Sequence, residues 1–254
     1  MKIGAVFFDM GGTIEDIHFN RALQLRGLKE IISILAEQGI TLSGSEDSIL
    51  DKILARNAEY KAWSENNMIE SPASQIWNEW NLRDFKLPAE KIDKIAEKLA
   101  YTWETSFFHR QLRANAFETL DTLHHKGYKL GIISNTSSRT QVFKTLDKNG
   151  IEQFFSCIVL SSIEGIRKPH PLIFTKALKT LGVAAESAAY VGDTLSRDVI
   201  GAKRAGFALS FKIDSFMTEA SDKVISPGSA KPDFLITDLS EIVPILEMIN
   251  ARSG

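Results

Sequence analysis

Four short stretches carry residue types able to act on a tetrahedral anion. Asp9-Met10-Gly11-Gly12-Thr13-Ile14 places a carboxylate at the end of an apolar run and against a glycine turn. Such a carboxylate can attack phosphorus directly, and the turn's backbone N–H groups, with the Thr13 hydroxyl, can cradle an anion. Ile132-Ile133-Ser134-Asn135-Thr136 ends a second apolar run with a hydroxyl and an amide, either of which can donate to phosphate oxygens. Gly165-Ile166-Arg167-Lys168-Pro169-His170-Pro171 sets Lys168 before a proline, which biases it towards an extended backbone, and a fixed ammonium suits a phosphate. Tyr190-Val191-Gly192-Asp193-Thr194-Leu195-Ser196-Arg197-Asp198 offers two carboxylates, hard oxygen ligands of the kind Mg²⁺ prefers. Read singly, each has an ordinary explanation as well. Asp9 is also a turn aspartate, Ser134 and Asn135 also cap turns, and Asp193 or Asp198 alone also caps a helix.

The elements that must position these residues follow from the apolar pattern. Residues 3 to 8 form a continuous apolar run, the mark of a strand buried on both faces. Similar short runs span 128–134, 156–160, 188–192, 208–213 and 233–236, with helical spacing over 114–125, 138–148, 171–181, 195–205 and 239–250 between them. That alternation predicts an α/β fold with a doubly wound, Rossmann-like parallel sheet, and every motif above then sits just past the carboxyl end of a strand. Residues 18–109 break the rhythm. Helical spacing over about 20–37, 45–65, 72–81 and 89–107, with no convincing strand, predicts an inserted all-helical cap domain, leaving 1–17 and 110–254 as the core domain. The cap's Trp63, Trp77, Trp80 and Trp103 sit at helical spacing, which favours packing over lining a pocket. Residues 221–232 read as a surface loop.

Composition removes several classes. Thirty basic residues against 32 acidic ones, a net charge of -2, give nothing that favours nucleic acid or an anionic membrane surface. Charges interrupt every apolar stretch, so no membrane span is expected. The single cysteine, Cys157, excludes an internal disulfide framework and fits a reducing, cytoplasmic setting, with a buried core position expected for it.

In this order, each after its strand, the four motifs resemble those of the haloacid dehalogenase superfamily of hydrolases, and residues 18–109 look like that family's C1-type cap. The resemblance implies a Mg²⁺-dependent phosphatase of a small phosphorylated metabolite. It makes Asp9 the nucleophile, Ser134 or Asn135 a phosphate donor, Lys168 the charge clamp, and Asp193 a metal ligand beside Asp9 and the Gly11 carbonyl. Asp198 matches the second carboxylate, contacting the metal through water or orienting its neighbours. The chain departs from the pattern at Gly11, where the family's phosphatases usually carry an aspartate that protonates the leaving group and then activates water. Loss of a positioned acid-base group slows turnover by roughly 10²- to 10⁴-fold, least for leaving groups of low pKa. Glu15 and Asp16 lie near enough in sequence to substitute, but belong more naturally to the turn into the cap. The same departure fits C–halogen or C–P chemistry, because dehalogenases and phosphonoacetaldehyde hydrolases of the superfamily also lack that aspartate. The retained acidic pair speaks against a metal-free dehalogenase, and a phosphonate hydrolase needs an imine-forming cap lysine, for which Lys52 and Lys61 are available. A catalytically weak protein that binds a phosphorylated ligand or a partner is the third reading.

Overall fold

A computed structural model describes residues 2–216, 218, 222 and 231–252. Its centre is a six-stranded, all-parallel sheet in the order β5-β4-β1-β6-β7-β8, built from β1 (Ala5–Phe8), β4 (Lys129–Ser134), β5 (Phe155–Leu160), β6 (Ala188–Gly192), β7 (Leu209–Ile213) and β8 (Phe234–Ile236). Because β1 is central, its sequence is apolar on both faces. Val6 and Phe8 enter one core with Leu130 and Ile132, while Ala5 and Phe7 enter the opposite one with Ile133 and Tyr190. The helices α5 (Ala116–His125), α6 (Gln141–Lys148), α8 (Pro171–Leu181), α9 (Ile200–Arg204) and α10 (Ile242–Ala251) cover the sheet, and α7 is the short turn Ser161–Glu164. The doubly wound fold expected from the alternating pattern is thus present. The loop expected over residues 221–232 lies almost wholly outside the described residues.

Residues 21–106 form only helices: α1 (Arg21–Ala36), α2 (Glu46–Asn67), α3 (Ala73–Gln75, widening into a π-helical turn over Ile76–Asn81) and α4 (Ala89–Ser106), apart from a 3₁₀ turn over Arg83–Phe85. Asn20 and Ser45 cap the first two by accepting from the amides of Leu23 and Ser48. Leu28, Ile31, Leu50, Ile53, Trp77, Ile92 and Leu99 bury into an apolar cluster of their own.

The two crossings between this helical insert and the sheet run side by side as a two-stranded ribbon. β2 (Glu15–His18) and β3 (His109–Leu112) pair antiparallel, with Ile17 opposite Arg110. A second tie joins the insert to the core: Ile69 bridges Ile166, and Met68 and Glu70 exchange backbone hydrogen bonds with Arg167 and Gly165. No helix among the described residues is long and apolar enough to cross a membrane.

Candidate active site

Parallel register brings the motifs together. Phe8 pairs with Ile132 on one side and Val191 on the other, so the next residues of β1, β4 and β6 leave the sheet at one edge. Asp9, Gly11, Ser134, Asn135 and Lys168 line a single cavity of about 120 Å³ there.

The Asp9 carboxylate is held 2.8 Å from Lys168 Nζ. Burial pushes its pKa up, against the pull of Lys168. Lys168 is 2% exposed and also lies 2.7 Å from Asp198 Oδ1 and 2.9 Å from the Tyr190 hydroxyl. Its backbone is fixed by Asn135, whose Oδ1 accepts from Lys168 N at 2.9 Å and whose Nδ2 donates to Lys168 O at 3.1 Å. Pro169 follows through a cis peptide bond, and His170 caps α8 by accepting from Leu172 N.

Asp193 is fully buried. Ser215 donates to its Oδ2 at 2.6 Å, whereas its buried Oδ1 has no hydrogen-bond partner among the described residues. Burial, with the nearby charges of Asp198 and Asp9, lifts its carboxyl to about 7. A turn of π-helix over Leu195–Val199 folds Asp198 back on the loop, so that Oδ2 accepts from Thr194 N and Oγ1 at 3.0 and 2.6 Å, and Oδ1 from Lys168 and Tyr190. Burial alone would raise Asp198, yet Lys168 and Arg197 outweigh it and hold the carboxyl below its usual value. Oxygens of Asp9, Asp193 and Asp198 come within 4.8 Å of one another. An orphaned carboxylate oxygen inside a buried acidic group is what a hard divalent cation would satisfy, so these residues fit Mg²⁺.

These contacts bear on several of the expected roles. Of the two donors expected on phosphate, Asn135 has its amide engaged by the backbone of Lys168, while Ser134 has no such tie and lines the same cavity. Asp198, expected either to contact a metal through water or to orient its neighbours, has both oxygens hydrogen-bonded by protein donors, which favours the orienting role. Thr13 turns inward: the amides of Ile14 and Glu15 close onto Met10 O, and the Thr13 hydroxyl is buried, without a hydrogen-bond partner among the described residues, and outside the cavity. Gly12 has φ +88°, where a Cβ would strike the Asp193 carboxylate, so both conformation and closeness demand glycine. Cys157 is buried as expected, with its thiol pushed up to about 11 by burial.

Arg197, Glu104 and Arg110 also line the cavity, and none is apparent from sequence alone. Arg197 lies inside the fourth motif and offered a signal as a cation between two aspartates; the others are isolated charges at the insert's exit. Glu104 Oε1 accepts from Ser137 N and Oγ, both at 3.0 Å, and so ties α4 to the loop after β4. Beyond Glu104, Phe108, Asn135, Thr136 and Arg197 the cavity continues into a second one of about 380 Å³, faced by Tyr60, Lys61, Trp77 and Trp103. Trp77 and Trp103 thus both pack and line, while Trp63 and Trp80 pack against Tyr60, Trp80 edge-on. Lys52 lies over the Phe85 ring, whereas Lys61 reaches the cavity, its pKa lowered by burial.

Comparison with known proteins gives a consistent picture. The family model for haloacid dehalogenase-like hydrolases matches residues 3–206. A glyceraldehyde 3-phosphate phosphatase of Pyrococcus furiosus is 34% identical over 147 residues, 58% of this chain and 59% of that protein, so the match spans less than two thirds of its length. A protein of the same name from Methanopyrus kandleri is 30% identical over 206 residues, covering 80% of this chain and 81% of the relative. The crystal structure of a 2-haloacid dehalogenase from Pseudomonas syringae superposes with a TM-score of 0.66 at 22% identity, over 97% of this chain and 99% of that one, which is a likeness of fold.

Proposed function

Since the chain belongs to the haloacid dehalogenase-like hydrolases, we propose that it is a magnesium-dependent phosphatase of a small phosphorylated metabolite, working through an aspartyl phosphate on Asp9. The observation that carries this reading is the placement of Asp9 Oδ1 2.8 Å from Lys168 Nζ, both lining one cavity, with oxygens of Asp9 and the buried Asp193 within 4.8 Å of each other.

Asp9 attacks phosphorus in line, and the bond to the leaving-group oxygen breaks as the Asp9–phosphorus bond forms. Lys168 balances charge on the nucleophile and on the transferred group, while Ser134 donates to a non-bridging oxygen. Asn135 and Asp198 act through Lys168, fixing its backbone and its ammonium. Water then hydrolyses the aspartyl phosphate. Asp9, Asp193 and the Gly11 carbonyl would hold Mg²⁺, which when bound would supply further neutralisation of phosphoryl charge. The organic half of the substrate occupies the aromatic cavity under the insert, residues 18–109, which we assign as the cap domain.

Lys61 gives one specific observation in favour of a second reading, an imine-forming phosphonate hydrolase, because it faces that cavity with a lowered pKa. One experiment separates the two. Phosphate release is measured from a panel of phosphorylated metabolites that includes glyceraldehyde 3-phosphate, from phosphonoacetaldehyde and, as halide release, from 2-haloacids, with and without Mg²⁺. Release from esters that needs both Mg²⁺ and Asp9 supports the phosphatase. Release from phosphonoacetaldehyde alone, with borohydride trapping at Lys61, replaces it.

A further inference from the structure

The ribbon of β2 and β3 puts a cation over Gly11, where phosphatases of this family usually carry their acid. Ile17 and Arg110 are direct cross-strand partners, so their side chains share one face of the ribbon. That face covers Gly11: a Cβ built there would lie 2.6 Å from Ile17 Cδ1 and 3.0 Å from Arg110 Nη2. Glycine at this position is therefore the residue that leaves room for the guanidinium.

Two of the three Arg110 nitrogens are anchored. Nε donates to Glu15 Oε2 at 3.1 Å, and Nη1 donates to Glu104 O at 3.1 Å with the Glu104 carboxylate 3.5 Å away. Nη2 has no hydrogen-bond partner among the described residues and lies over Gly11, in the wall of the cavity that Asp9 shares. Glu15, a nearby candidate for the missing acid, is itself 2% exposed and held as the counter-ion of Arg110.

From this geometry we infer that Arg110 is a catalytic residue that stabilises the departing oxygen by charge instead of by proton transfer. The inference rests on the phosphatase reading. As the bond between phosphorus and the leaving oxygen breaks, its electron pair goes to that oxygen, which accepts hydrogen bonds from Nη2 and takes its proton from water after departure. An arginine does not give up its proton near neutrality, so the site cannot assist an alkoxide as a general acid would. The substrate class it fits is a phosphate on an oxygen that leaves as a stabilised anion: an acyl, enol or anhydride oxygen rather than that of a simple alcohol.

The test is a series of aryl phosphates of graded leaving-group pKa, assayed with Mg²⁺ for the wild type, Arg110→Gln and Arg110→Lys. The wild type should show a steep fall in kcat/KM as leaving-group pKa rises. Arg110→Gln should steepen that slope, its deficit growing to about a hundredfold for the poorest leaving group, with partial rescue by added guanidinium. Arg110→Lys keeps a charge for the buried Glu15 but withdraws the donor from over Gly11, so it should fold and still show the steeper slope. Equal loss on every ester without rescue, or no loss, overturns the inference while leaving the phosphatase reading in place. A wild type inactive on all the esters removes both.

Discussion

Lys168 Nζ stands between two buried carboxylates, 2.8 Å from Asp9 Oδ1 and 2.7 Å from Asp198 Oδ1. The pairs are not equivalent. Asp198 keeps Tyr190 and Thr194 as donors if the lysine is lost, whereas Asp9 loses its only ion pair among the described residues. Asp9→Asn should abolish phosphate release while leaving thermal stability close to that of the wild type, because Lys168 remains paired with Asp198. Lys168→Met strands two buried anions and should destabilise the fold by about 3–5 kcal/mol. Appreciable turnover by Asp9→Asn would exclude the assigned nucleophile.

On the proposed function, the raised carboxyl of Asp193 should make cation binding depend on pH. Its carboxyl, raised to about 7 from an ordinary 3.8, is largely protonated at pH 6, and a cation must displace that proton. Mg²⁺ affinity, read by calorimetry, should fall about tenfold per pH unit below 7 and level off above it. The sign for stability follows the same way. A folded-state pKa above the unfolded one means that the metal-free protein is favoured while the acid is neutral, and loses stability as pH rises from about 4 to about 7. Asp193→Asn should flatten that trend and remove the Mg²⁺-induced rise in Tm. Activity that survives chelation would instead favour metal-free dehalogenation.

How much of this could be read from sequence depends on where each residue finds its partner. Asp9 was legible because the apolar run Val6-Phe7-Phe8 announces a buried strand and the glycines announce its end. Lys168 and Asp193 were legible as the charged ends of motifs that resemble a family's. The ribbon was not, because Glu15-Asp16-Ile17-His18 and His109-Arg110-Gln111-Leu112 are too polar and too short to show alternation, and their pairing is long-range. Arg110 could not be found for the same reason: its meaning comes from Ile17, Glu15 and Gly11, all in the other crossing. Asn135 stood beside Ser134 as a phosphate donor because its own motif gives no sign that the Lys168 backbone engages both ends of its amide.

Glu70 couples the insert to the loop that carries Lys168. Its buried carboxylate accepts from Ser161 Oγ at 2.8 Å and from the Tyr60 hydroxyl, and lies 3.4 Å from Arg167, the residue before Lys168. Glu70→Ala leaves the Arg167 guanidinium, 8% exposed, without its carboxylate and should cost about 3 kcal/mol. Hydrogen exchange should then speed up at the amides of Glu70 and Arg167, which tie the two loops together. Unchanged exchange at both would show that the backbone ties alone hold the insert in place.

Restoring the acid is a sharper experiment at Gly11 than deleting anything. On sequence grounds Gly11→Asp should speed hydrolysis of poor leaving groups wherever a missing acid limits the rate. The neighbours change that expectation: Ile17 Cδ1 must move aside, and Arg110 Nη2, 3.0 Å from the new Cβ, would hold the added carboxylate ionised and unable to protonate anything. Gly11→Asp alone should therefore gain less than about threefold on an alkyl phosphate, and Gly11→Asp with Arg110→Gln should gain at least tenfold over Arg110→Gln, a part of what a positioned acid contributes. The comparison is a double-mutant cycle read as kcat/KM, with the interaction between the two sites as its result. A single Gly11→Asp substitution that accelerates the alkyl ester by two orders of magnitude would mean that the guanidinium does not govern the space above residue 11.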